Sequence, residues 1–169
     1  PYPARAQNIS TFTGGRFHPR DWDLAKVTQG LEATEPDGLP NVMPLREMRK
    51  PAPNVPTVLL ITDEDCRIEE FDLSGLDICA TATLVCSHLR SPRPVAAMVY
   101  TFERAALADA ALRLDVSPTH LTANDPQDFT NWAVASGAKQ VFTPFVTRGP
   151  LRDWFTCAEV ILAQHGITL

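Results

Sequence analysis

Three groups of residues in this chain have types suited to chemistry. The first is basic: Arg5, Arg16, His18 and Arg20 precede the first acidic residue, Asp21, and are interleaved with Tyr2, Phe12 and Phe17. Gly14 and Gly15, beside Arg16 and His18, read as a tight turn; as a backbone nest next to a cation they would suit a phosphate. The second group is acidic: Asp63, Glu64 and Asp65, followed by Glu69, Glu70 and Asp72. Carboxylates just past a strand end can bind Mg²⁺, but they repel phosphate, and no G-x-G-x-x-G follows, so the cluster is read as a solvated acidic loop. The third runs from Thr143 to Pro150, with Arg152 just beyond. A helix starting there would offer free N–H groups and its dipole to an anion, which makes Arg148, Gly149 and Arg152 anion-site candidates.

Other chemistries lack their residues. Cys66, Cys79, Cys86 and Cys157 form no C-x-x-C pair and have no His at ligand spacing, so no metal site is expected. They read as reduced, mostly buried thiols of a cytoplasmic protein. No nucleophile elbow of the G-x-S-x-G type is present. Trp132 and Trp154 fall in amphipathic stretches and are expected to pack in the core; Trp22 lies in a separate stretch near the start.

The elements that must position these groups follow from periodicity. Residues 1–56 are rich in Pro and turns, and the two early prolines with the Gly14-Gly15 pair argue against a helix in 1–17. A short helix fits within 21–33, after which prolines punctuate a linker to residue 56. From Thr57 to Thr62 an apolar, β-branched run marks a buried parallel strand, and a second such run covers roughly 78–86. Residues 96–114 read as a helix presenting Phe102, Ala106, Leu107, Ala110, Ala111 and Leu114 on one side. A strand at 120–123 follows. Then comes a helix capped by Asp125 with Pro126 at its first position and Gly137 past its end. A strand at 140–143 and a helix at 149–165 closed by Gly166 complete the pattern, with Ile167 to Leu169 opening a further strand. Strands alternating with helices predict an α/β fold: a Rossmann-like, mostly parallel sheet with flanking helices over 57–169, preceded by a Pro-rich irregular segment.

Composition narrows the function classes. The chain has 169 residues, 44% of them apolar, which fits a globular domain with a core. No apolar run approaches the roughly 20 residues of a membrane helix, so no membrane association is expected. The net charge is −5. Residues 1–54 hold seven Lys/Arg against six Asp/Glu, and the remainder eight against fourteen, so any contact with DNA falls to the first segment.

Arg152-Asp153 at the start of a helix that ends in Gly166-Ile167, preceded by a strand reading Gln-Val-Phe-Thr, resembles the second half of the α/β domain of the photolyase/cryptochrome family. Pro1-Tyr2 with Arg5 and Asn8 resembles the segment that follows the flavin-binding helices of that family, with Tyr2 one residue further from Asn8 than expected. The order resembles a bacterial branch in which the helical part comes first. The resemblance implies that residues 1–20 are the exit from an upstream helical FAD-binding domain, with 21–56 a linker.

It further implies a light-driven, lyase-type repair of damaged DNA. Reduced flavin in the upstream domain passes an electron to a flipped-out pyrimidine dimer, which splits and returns it. Arg5 would lie near the lesion cleft, where a guanidinium can grip a phosphate, and Asn8 would tie the exit loop. This chain alone would be inactive, since the cofactor's pocket lies outside it. The residues of a folate antenna are not recognisable. Two alternatives are a blue-light receptor on the same fold and a non-catalytic Rossmann-like nucleotide-binding or interaction domain.

Overall fold

The computed structural model describes residues 6–18, 44 and 47–169, in two compact units, 1–46 and 47–169. Arg5, Arg20, Trp22 and the helix expected within 21–33 lie outside the described residues.

In the first unit the expectation of no helix is corrected. Helix α1 spans Ala6–Phe12. The prolines stand ahead of it, and the glycine pair ends it instead of preventing it. Gly14 and Gly15 have φ of 60° and 75°; the Gly15 N–H reaches back to the Ser10 carbonyl and the Gly14 N–H to that of Thr11. This is the paired closure that glycine permits at a helix end.

The second unit is the expected α/β domain. Strands β1 (Pro56–Thr62), β2 (Asp77–Val85), β3 (Thr119–Thr122) and β4 (Gln140–Phe142) form an all-parallel sheet in the order β3-β2-β1-β4. Helix α2 (Ala97–Arg113) lies between β2 and β3, α3 (Pro126–Ala135) between β3 and β4, and α4 (Pro150–Gln164) follows β4. Central β1 is buried along both faces, which is why it reads as a continuous apolar run. Val58 and Leu60 pack with Phe129, Ala133, Leu151, Phe155 and Leu162 of α3 and α4. Leu59 and Ile61 pack on the other side with Leu107 and Ala110 of α2. Thr168 makes one parallel bridge to Gln140, the start of the further strand expected at 167–169.

The inward face of α2 differs from the expected one. Phe102 is 74% exposed, whereas Glu103 is 3% exposed and faces inward with Leu107 and Ala110. The apolar residues of α2 lie on both sides of the helix, so periodicity alone chose the wrong phase around Phe102.

The second unit starts ahead of β1. Buried Gln140 explains this: its amide accepts from the Ala52 N–H (3.0 Å) and donates to the Ala52 carbonyl (2.7 Å) and to Thr57 Oγ1 (2.8 Å). The segment before the sheet is therefore tied to β4.

Asp125 caps α3 by accepting from the Gln127 N–H at 2.9 Å, with Pro126 at the first turn and Gly137 (φ 76°) past the end. Replacing Asp125 by Ala is expected to cost about 1 kcal/mol, and Phe129→Ala about 3–5 kcal/mol. Urea unfolding followed by circular dichroism checks both, and equal effects would contradict the assigned burial.

Candidate functional site

In a parallel sheet of this order the chain leaves β1 toward β2 on one side, while β4 enters on the other. The crevice beyond the carboxyl ends of β1 and β4 is thus the position where open α/β sheets receive ligands. The residues gathered there are Asp63 and Glu64 after β1, Cys86 to Arg90 after β2, and the loop from Thr143 to Gly149 after β4.

Asp63 is the hub. Arg90 grips it bidentately, Nη1 to Oδ2 at 2.8 Å and Nη2 to Oδ1 at 2.9 Å, and the Cys86 thiol donates to Oδ1 at 2.9 Å. The same Arg90 Nη2 reaches Glu64 Oε1 at 3.0 Å, and Thr147 Oγ1 donates to Glu64 Oε2 at 3.4 Å. Glu64 therefore bridges the crevice from the β1 end to the β4 loop. Behind them, Glu103 sends Oε1 into the short 3₁₀ turn that follows β2, where it accepts from the N–H groups of Cys86 (2.6 Å) and Ser87 (3.0 Å). A carboxylate supplied by α2 thus satisfies the amides that the end of β2 leaves open.

The acidic loop is exposed at Glu64, Glu69, Glu70 and Asp72, as the sequence suggested, but several of its carboxylates are also paired. Asp63 and Glu64 are held by Arg90, Glu69 is bonded to Arg113, and Asp72 caps the Ser74 N–H and hydroxyl. Its own turn amide and the Arg113 contact hold the Glu69 carboxyl below its usual range, and the Ser74 bonds do the same for Asp72.

The thiols also differ from expectation: Cys86 is buried and Cys66 half-buried, but Cys79 and Cys157 are exposed. Burial pushes the Cys86 thiol far up, reinforced by its bond to Asp63 and by the charges of Asp63 and Glu103. It is a hydrogen-bond donor at neutral pH and not a thiolate nucleophile.

Among the described residues, the buried side-chain atoms without a hydrogen-bond partner are Thr62 Oγ1, Ser87 Oγ, His88 Nδ1, Glu103 Oε2 and Thr143 Oγ1. All belong to the carboxyl edge of the sheet or to the side chain packed against it. Elsewhere among the described residues, buried side-chain polar atoms are paired, as proteins generally require.

The residues singled out from the sequence fall as follows. Asn8 lies half-buried on α1, while Arg16 and His18 are exposed just past it. Arg16 Nε donates to the Thr13 carbonyl, and the Gly14 and Gly15 amides close α1, so they do not form a nest. Arg148 and Gly149 lie in the β4–α4 loop; Gly149, at φ 153°, is the residue before α4, in a conformation other residues rarely adopt. Arg152 does not pair with Asp153: its guanidinium runs along the helix to Glu159, at 2.7 and 3.2 Å. Trp132 and Trp154 pack with Phe129, and the Trp154 indole donates to the Asn124 carbonyl at 2.9 Å, as core residues do. Glu103, Cys86 and Arg90 were not anticipated as a group. The signal for Glu103 was its place in phase with Leu107 and Ala110, a lone carboxylate on a core stripe.

In comparisons with known proteins, no family model, curated protein or solved structure matches this chain.

Two outcomes follow from the thiol's surroundings. In the native protein a maleimide is expected to label Cys79 and Cys157 quickly and Cys86 only on unfolding; mass spectrometry of peptides decides it. Because folding raises the Cys86 pKa, the stability it contributes is fully present below the ordinary thiol range and is lost progressively as pH rises above it toward the raised folded-state value. Unfolding midpoints measured across that alkaline range should fall for the native chain and fall less for Cys86→Ala.

Proposed function

We propose that this chain is the non-catalytic α/β domain of a photolyase-like flavoprotein whose FAD is held by a helical domain outside it. The observation that carries this reading is the setting of α4. Arg152-Asp153 open it and Gly166 closes it, with Ile167 buried in the core, on one face of an all-parallel Rossmann-like sheet. The closed, acidic carboxyl edge also supports placing the chemistry elsewhere. Asp63 and Glu64 occupy the position where a nucleotide phosphate would sit, with no Gly-rich loop after β1. In this reading Arg5, Arg16 and His18 belong to the DNA-facing edge of the flavin domain, and the full-length protein splits pyrimidine dimers by light-driven electron transfer.

A second reading, an interaction domain without flavin chemistry, is favoured by the outer side of α2. Met98, Phe102 and Leu112 are 81%, 74% and 76% exposed on one element. Grouped exposed apolar residues of this kind mark surfaces that contact other protein.

The two readings separate on the full-length protein. The first expects a yellow preparation with bound flavin absorption and light-dependent loss of dimers from irradiated DNA. A colourless protein that releases no flavin on denaturation overturns it and leaves the interaction reading. Bound flavin with no dimer loss assigns a light receptor in place of a repair enzyme.

A further inference from the structure

We propose that Asp63, Cys86 and Glu103 form a binding site for a divalent transition-metal ion of the zinc type. The inference is independent of the function proposed above.

The three residues come from the end of β1, the end of β2 and the middle of α2, and one ligand atom from each lies within 4.8 Å of the others. Donor atoms this close need only small side-chain rotations to stand about 2.0–2.3 Å from one ion. One thiolate with two carboxylates suits a borderline ion such as Zn²⁺ better than the all-oxygen shell that Mg²⁺ or Ca²⁺ prefers.

A second, independent observation points to a ligand. Glu103 is 3% exposed; its Oε1 is engaged by two backbone amides, yet its Oε2 is buried with no partner. A carboxylate oxygen left so costs free energy unless something binds it. The two amides hold the Glu103 carboxylate in place beside Cys86.

Arg90 is compatible with the ion. Its Nη2 now donates to Oδ1 (2.9 Å) and stands 4.0 Å from the Cys86 sulfur, so that contact must give way when Oδ1 turns to the metal, while the Nη1 bond to Oδ2 remains to hold Asp63. That is the arrangement by which outer residues orient a metal-binding carboxylate. On binding, the Cys86 S–H bond breaks, its proton leaves to solvent, and the sulfur electron pair forms the metal bond. No oxidant or reductant is needed. Three anionic donors, a divalent ion and the Arg90 guanidinium together leave the site without net charge. Three protein donors also leave a fourth position for water or a ligand.

The full chain, stripped with a chelator, is titrated with Co²⁺ alone and then with Zn²⁺ against a chromogenic competitor. The expected result is one equivalent bound, with a thiolate-to-cobalt charge-transfer band that Zn²⁺ abolishes. Glu103→Gln should weaken Zn²⁺ binding at least roughly tenfold, by analogy with losses on altering a metal's surroundings. Because Cys86→Ser or Glu103→Gln can fail to fold, a triple variant with Cys66, Cys79 and Cys157 changed to Ser keeps Cys86 as the sole thiol. Retention of the band in that variant supports the site. Absence of the band in the native chain, or its loss in the triple variant, overturns it by assigning metal uptake to no thiol or to the others.

Discussion

Strand β1 has no face to give to water. Val58 and Leu60 are enclosed by α3 and α4, Leu59 and Ile61 by α2, and both of its edges are paired, to β2 and to β4. Burying such a strand on both sides supplies much of the hydrophobic stabilisation open to a domain of this size, at roughly 25 cal/mol per Å² of apolar surface. It also imposes a condition. Where β1 ends, the chain must pass from a fully enclosed interior to polar residues within one or two positions, and those residues have little solvent to turn to. Asp63 meets that condition through Arg90 and Cys86, and the neighbouring end of β2 meets it through Glu103. The polar hub at the carboxyl edge follows from the enclosure of the central strand.

Much of the scaffold was legible because its signals are local. The β-branched run at 57–62, the Asp125-Pro126 helix start and the glycines at 137 and 166 each act within a few residues, and each lies where its chemistry predicts. The helix 6–12 was missed because Gly14-Gly15 was weighed as a breaker, when the pair acts only after the last turn. The phase of α2 was misjudged at Phe102 and Glu103 because apolar side chains surround that helix, and only the tertiary partner selects which side is covered.

The site itself was the least legible part. Asp63 looks solvated when read beside Glu64 and Asp65; only the fold brings Arg90, from beyond the next strand, onto it. Cys86 reads as one more apolar residue at a strand end, and Glu103 shows only as a lone carboxylate in phase with Leu107 and Ala110. Their meeting depends on strand order and on which turn of α2 crosses the end of β2, neither of which leaves a short-range trace. Arg152, by contrast, stood out in the sequence and is engaged by Glu159 on its own helix, away from the crevice.

The clasp of Gln140 on Ala52 and Thr57 joins residues 88 and 83 positions apart in the chain. With the β1–β4 pairing beside it, this sets an order of events for a chain emerging from a ribosome. Strands β1, β2 and β3 can associate while synthesis continues, but one edge of the most apolar strand stays bare until β4 has been made. Such an edge is a template for wrong pairing. The late arrival of a strand as short as Gln140–Phe142 therefore makes the interval between the synthesis of β1 and that of β4 the one in which this domain most needs protection from its neighbours.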